Sequence, residues 1–391
     1  MTPPGAEHAP GHRGRATRDF DLHGLVGVRL LDADDRDAAT VRRQLGPLDA
    51  TLDREPDITV RFVDELGSRP LTLVGVGDSG FADDSFFILH GRGEAPGRVS
   101  LPLDRVGGSI EIVCERRLPA VPLLLAVVNM TALAKGVLPL HATAFTTPST
   151  GVLVTGWSKG GKTEALLGCM LAGAEYVGDE WVYLTDDGRM LGVPEPIRLW
   201  SWQLDQVPAL RRMRTMRQRA RLSTWDGVAG LAARGARGRL PGSAFLRRAT
   251  PVLERQAYLQ VPPDDLFGAD RVALHGRLDV VVLVMAHESR DTTIRDASPQ
   301  EVAGRMQASL EEERAPLMTY YRHFRYAFPD RTSPVIDQAA ELESKLLDAM
   351  LRDRPCVAVT HPYPCDVRAL GDAVLSAVSG ASAAQPPFGA S

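Results

Sequence analysis

Residues 151–173, GVLVTGWSKGGKTEALLGCMLAG, constrain this chain more than any other stretch. Val152, Leu153 and Val154 form a short apolar run bounded by Gly151 and Gly156, the pattern of a buried strand. Gly156-Trp157-Ser158-Lys159-Gly160-Gly161-Lys162-Thr163 then fits G-x-x-x-x-G-K-[ST] at every fixed position. From Lys162 onward Ala165, Leu166, Cys169 and Met170 recur at helical spacing, with Gly173 placed as a helix-ending glycine. Strand, glycine-rich loop and helix together predict a polyphosphate site. The glycines free successive backbone N–H groups to point at an anion, and the helix N-terminus favours the same charge. Lys162 is expected to reach the β- and γ-phosphates and Thr163 to coordinate Mg²⁺.

A chain of 391 residues has room for one large or two ordinary domains, and 44% hydrophobic with 24% charged residues is a globular composition. The net charge of −4 gives no reason to expect nucleic-acid binding. Cys114, Cys169, Cys356 and Cys365 are widely spaced with no C-x-x-C pair, and buried free thiols are expected. The first twenty residues lack an apolar core and do not read as a signal peptide, and the most apolar stretch, 119–134, is too short for a membrane span. The expectation is a cytoplasmic protein that binds no membrane and no nucleic acid.

Residues 1–18 and the Ala/Ser/Pro tail 379–391 are expected to be disordered. Between them, residues 19–118 hold recurrent strand-like runs (LVGVRLL, ITVRFV, LTLVGV, SFFILHG, SIEIVCE) and predict a β-rich region of antiparallel hairpins. Its Asp clusters, Asp32/Asp34/Asp35/Asp37 and Asp83/Asp84, read as solvated turns. The second region, 119–378, holds the phosphate loop. It opens on an apolar helix over 119–135, followed by a strand, 138–145, that carries His141. A lone histidine most often serves packing; a functional role here rests on its closeness in sequence to the loop. Glu175–Leu184 reads as one strand with Asp179 and Glu180 in its middle. Paired carboxylates in an apolar strand are unfavourable unless partnered or bound to metal. Residues 205–250 hold eleven arginines against two acidic residues, six of them at Arg211–Arg221. This segment is either a solvated insertion or a docking surface for a phosphate or an acidic partner. Further strands are expected at 257–261, 278–285 and 356–360, and helices at 299–313, 334–351 and 366–378. The fold class is α/β, or α+β with a mixed sheet.

The combination Leu140-His141-Ala142, GWSKGGKT and Gly178-Asp179-Glu180-Trp181-Val182 resembles the catalytic core of the HPr kinase/phosphorylase family. That core places a histidine before the loop strand and a paired-acid strand just after the loop helix. The seventeen-residue step from Lys162 to Asp179 matches its short connection, and Leu266-Phe267-Gly268 resembles a further family segment. The resemblance covers roughly residues 136–285. It implies a fold shared with phosphoenolpyruvate carboxykinases and ATP- and Mg²⁺-dependent phosphorylation of a serine-type hydroxyl. In this reading Lys162 and the loop amides of Gly156, Trp157, Ser158, Lys159, Gly160 and Gly161 hold ATP. Thr163 and Glu180 hold Mg²⁺, Asp179 is the base, and His141 positions the γ-phosphate or the nucleophile. Two departures stand out: Glu180 where the family has Asp, and Arg255-Gln256-Ala257-Tyr258-Leu259 where bifunctional members have RGLG. The acceptor is accordingly a protein, a peptide or a small molecule. The rival readings are a P-loop ATPase, with Glu288 as its distant acid, and a nucleotide-sensing or peptide-recognition module without catalysis.

Overall fold

The computed structural model describes residues 16–67, 69–75, 77–90, 97–207 and 258–383. Nearly all of the arginine-rich segment, Arg255–Ala257, residues 1–15 and residues 384–391 lie outside the described residues. The chain divides into two compact units, one of residues 1–137 with 311–343 and the other of residues 138–310 with 344–391. Both mix helices with mixed sheets, and among the described residues no helix is long and apolar enough to cross a membrane.

The first unit is built on β1 (Ala16–Leu22), β2 (Val26–Ala33), β3 (Asp49–Ala50), β4 (Ile58–Val63), β5 (Thr72–Val74), β6 (Ser79–Ala82), β7 (Ser85–His90), β8 (Gly97–Ser100) and β9 (Ile110–Glu115). They form a sheet in the order β3-β1-β2-β4-β9-β8-β7-β6-β5. The hairpins expected from sequence account for its two flanks, but β2, β4 and β9 pair in parallel at its centre. Parallel neighbours need a crossover, and one is the helix α1 (Asp35–Leu45), which the Asp-rich sequence concealed. Asp34 caps it, accepting from the backbone of Arg36 and Asp37 at 2.8 Å each. Asp37 is buried and takes a 2.6 Å hydrogen bond from Arg116. This cluster is therefore a helix start and not a solvated turn. Asp83 and Asp84, by contrast, do form the exposed turn between β6 and β7. The apolar helix α2 (Leu124–Ala134) also belongs to this unit.

The second unit contains the glycine-rich loop, residues 156–161. Among the described residues its main sheet runs β13-β11-β12-β19-β21-β20, from Thr143–Thr146 (β11), Gly151–Thr155 (β12), Glu175–Gly178 (β13), Val280–His287 (β19), Thr293–Ala297 (β20) and Cys356–Pro362 (β21). The loop strand β12 pairs in parallel with β19, and β19 with β21, so the three end at the same edge of the sheet. These strands read as unbroken apolar runs because both faces are covered. Val152, Val154, Val280, Val282, Val284, Val357 and Val359 pack towards α3 (Lys162–Leu171) and the C-terminal helix Val367–Ala383. Leu153, Val281, Leu283, Cys356 and Ala358 pack on the other face. There they meet a smaller sheet, β10-β14-β15-β18, built from Leu138–Leu140 (β10), Val182–Leu184 (β14), Arg189–Gly192 (β15) and His275–Arg277 (β18). The two helices cross at bare backbone: a Cβ on Gly168 would lie 2.3 Å from the carbonyl oxygen of Val367, and one on Gly371 2.5 Å from the carbonyl carbon of Gly168.

Candidate functional site

Two crossings between the sheets create the site. The chain leaves β10 in the small sheet, passes through His141 and enters β11 in the main sheet. It later leaves β13 in the main sheet, passes through Asp179–Trp181 and enters β14 in the small one. Since β10 pairs with β14 and β11 with β13, the crossings lie side by side. The hydroxyl of Thr143 ties them, donating to the Gly178 carbonyl at 2.9 Å. The single strand expected over Glu175–Leu184 is thus two strands with the acids at the break between them. The break is sharp: the Trp181 N–H donates to the Asp179 carbonyl at 2.9 Å, and Glu180 between them has φ +67°. A three-residue turn with a positive φ on a glutamate is a strained conformation of the kind that gathers at functional positions.

This turn separates the two carboxylates. Asp179 is buried, with its Oδ2 3.1 Å from the Thr163 hydroxyl at the start of α3. Burial, and after it the Glu180 charge, push its carboxyl up to about 7. Glu180 turns instead to His141, whose Nε2 lies 3.2 Å from its Oε2, while the His141 and Trp181 rings lie 5.9 Å apart. Burial acts to raise Glu180 as well, but the hydrogen bond and charge of His141, with Arg198 and Lys162, outweigh it and hold this carboxyl below its ordinary value. Acid, base and loop hydroxyl therefore meet as Thr163–Asp179 and His141–Glu180.

The loop connects β12 to α3 through Gly156–Gly161, with Lys159 at φ +62° and Gly161 at φ +107°. Alternating backbone hand of this kind is the geometry in which successive N–H groups can converge on one point. Lys162 is only 6% exposed, and its ammonium donates to the carbonyls of Gly156 at 3.0 Å and Trp157 at 3.1 Å. The lysine is thus folded back against the loop. Trp157 lies on the open side, 53% exposed.

Two further groups carried no sequence signal. His361, at the end of β21, is 1% exposed, with Nε2 2.9 Å from the Gly160 carbonyl and Nδ1 2.9 Å from that of Pro362. A Cβ on Gly161 would lie 2.2 Å from its Nε2, so loop and ring fit only with glycine there. Glu195, in the Pro-flanked segment before β16 (Ile197–Trp200), places Oε1 in the interior with no hydrogen-bond partner among the described residues. Burial, and then the charge of Glu180, push it up to about 8. The Tyr176 hydroxyl is likewise buried, close to the Asp179 backbone, and Asp179, Glu195 and Glu180 all act on it electrostatically.

Among the described residues no group of three or more His, Cys, Asp or Glu side chains could hold a metal by itself. The Thr163 hydroxyl beside the Asp179 carboxylate does fit a Mg²⁺ that takes its remaining ligands from phosphates and water, the usual state of this ion. The alternative acid, Glu288, lies exposed beyond the end of β19. All four cysteines are buried free thiols. In comparisons with known proteins, no protein family matches the chain and no curated protein is similar to it beyond chance.

Proposed function

We propose that this chain is an ATP-dependent kinase that transfers the γ-phosphate to a serine-type hydroxyl of a protein, peptide or small molecule, on an HPr kinase-like core. The observation that carries this reading is the meeting of two side-chain pairs at the phosphate loop: Thr163 with Asp179 at 3.1 Å, and His141 with Glu180 at 3.2 Å. A loop alone serves hydrolysis, transfer or sensing equally well. A buried carboxylate with a raised proton affinity, held beside the Thr163 hydroxyl, adds a proton acceptor.

The loop amides and Lys162 bind and neutralise the β- and γ-phosphates. Lys162 is already at the loop and has to exchange two carbonyl partners for phosphate oxygens. Thr163 would hold Mg²⁺ with a carboxylate of the acidic pair, Glu180 where Asp179 is the base, and the ion would supply charge neutralisation at the phosphates. Asp179 accepts the proton of the acceptor hydroxyl as that oxygen attacks the γ-phosphorus and the bond from it to the β–γ bridging oxygen breaks, with ADP leaving. His141 fixes Glu180 and borders the acceptor. Positioning and charge supply most of the rate in such a reaction. The Thr163–Asp179 contact favours a second assignment, with Asp179 on the metal and Glu180 with His141 receiving the proton. The four free thiols fit a reducing cytoplasm.

The test is incubation with ATP and Mg²⁺ and candidate acceptors (free serine, HPr, short serine peptides), followed by mass spectrometry for a phosphate adduct. Lys162→Ala is the control and should lose turnover by roughly 10²-fold or more. ATP hydrolysis with no acceptor phosphorylated would favour the ATPase reading, and turnover by the control close to wild type would remove the nucleotide site altogether.

A further inference from the structure

Trp157 lends its backbone to the glycine-rich loop, and its side chain has no task in the reaction as described. The Trp157 carbonyl is turned inward, accepting from the Lys162 ammonium at 3.1 Å and from the Gly160 N–H at 3.0 Å. The indole is 53% exposed, whereas Trp181, Trp200 and Trp202 are each partly buried. Two relationships fix which end of the loop carries it. The Lys162 ammonium, the group that would serve the β- and γ-phosphates, also donates to the Gly156 carbonyl at 3.0 Å, so the first residues of the loop border the terminal phosphate. The same ammonium acts electrostatically on both Asp179 and Glu180. Trp157 thus stands at the terminal-phosphate end, next to the charge that faces the acidic pair. A second indole borders the acids: Trp181 directly follows Glu180, and its ring lies 5.9 Å from that of His141.

We propose that the Trp157 indole is a docking contact for the acceptor, and that the acceptor is a peptide with a large apolar side chain beside its serine-type hydroxyl. The inference rests on the kinase reading above and adds a substrate class to it. The attacking oxygen approaches the γ-phosphorus from the side away from the leaving ADP. A side chain at the terminal-phosphate end of the loop therefore borders the acceptor, while the base lies at the far end of the nucleotide. An indole open to water in that place offers a large, rigid apolar area that is covered at little cost in conformational entropy. Free serine has no apolar group with which to cover it. An apolar neighbour of the hydroxyl does, and the same contact helps to orient the attacking oxygen.

The experiment measures initial rates of phosphate transfer by the full chain, by mass spectrometry, to free serine, to HPr and to two serine peptides. The peptides differ only in having Leu or Gly on both sides of the serine, and wild type, Trp157→Ala and Trp157→Phe are compared. Wild type should favour the Leu peptide in kcat/KM by roughly 5- to 50-fold, the size of one largely buried apolar contact. Trp157→Ala should bring the two peptides to within about twofold of each other, and Trp157→Phe should keep most of the preference. Absence of the preference in wild type, its survival in Trp157→Ala, or transfer to serine or HPr but to neither peptide overturns the inference while the kinase reading stands. Calorimetry with Mg·ATP and Mg·tripolyphosphate adds a separate check. If Trp157→Ala weakens ATP and not tripolyphosphate, the ring serves the base and the inference is wrong. If no acceptor is phosphorylated, the kinase reading fails and the inference with it.

Discussion

Nε2 of His361 lies 2.9 Å from the carbonyl oxygen of Gly160, and the ring fills the space in which a side chain at the next residue would sit. Carbonyl oxygens only accept, and Nδ1 faces a second one, that of Pro362, at 2.9 Å. His361 thus braces the glycine-rich loop at the Gly160 carbonyl and against Gly161.

His361→Ala should therefore loosen the loop without touching substrate. The KM for ATP should rise by roughly 10-fold, as expected for loss of a buried hydrogen bond, with a smaller change in kcat. His361→Gln, which keeps one N–H donor, should recover part of the loss. Initial rates across an ATP series for both variants provide the check. A folded His361→Ala protein with unchanged KM would show that the histidine is only packing.

Asp179 and Glu180 should separate by role, because the turn at Glu180 sends them to different partners. With Asp179 as base, Asp179→Asn lowers transfer by roughly 10²–10⁴-fold while Mg·ATP still binds. Glu180→Gln then raises the Mg²⁺ concentration needed for half-maximal rate, since a charged oxygen is lost from a hard cation. The contact of Asp179 with Thr163 makes the reverse outcome informative too. Loss of Mg·ATP binding in Asp179→Asn, with only the chemical step lost in Glu180→Gln, assigns the metal to Asp179 and the proton to Glu180. Calorimetric affinity and rates across a Mg²⁺ series distinguish the two.

What the sequence made legible follows from the range of the interactions involved. The loop strand, the loop and α3 are local and stood out at once, as did the buried strand β19. The turn at Asp179–Glu180 did not: DEWVYL has strand propensity, and the break is imposed by a change of sheet that only the pairing of β10 with β14 and β11 with β13 creates. Glu195 sits between Pro194 and Pro196, where no local pattern marks it as a buried acid. His361 lies 201 residues from the loop carbonyl it contacts, and no local pattern connects them. One missed signal was local. Asp34-x-x-Asp37 ahead of an apolar-periodic stretch is a helix-start pattern, and reading charge as solvation hid α1.

Glu195 gives the ligand-free chain a definite dependence on pH. An unfolded glutamate releases its proton near pH 4.3, whereas the folded chain keeps the Glu195 proton up to about pH 8. Between those values the folded state binds more protons than the unfolded state, so stability falls as pH rises through the window. Asp179 acts in the same direction, with its proton held to about 7, and the depressed Glu180 acts in the opposite one. Glu195→Gln replaces the carboxyl by a neutral group of the same shape. At pH 5, where the buried glutamate is already protonated, the change should be nearly neutral. At pH 8 it should stabilise the ligand-free chain by on the order of a few kcal/mol, because the unfolded glutamate gains about 1.4 kcal/mol per pH unit by ionising while the buried one stays protonated up to about pH 8. Urea unfolding of both proteins at pH 5 and pH 8 measures this, with no nucleotide or divalent ion added. A variant that is less stable at both pH values would mean that Glu195 is held as a carboxylate by a cationic partner, and its place among the acids of the site would have to be reassigned.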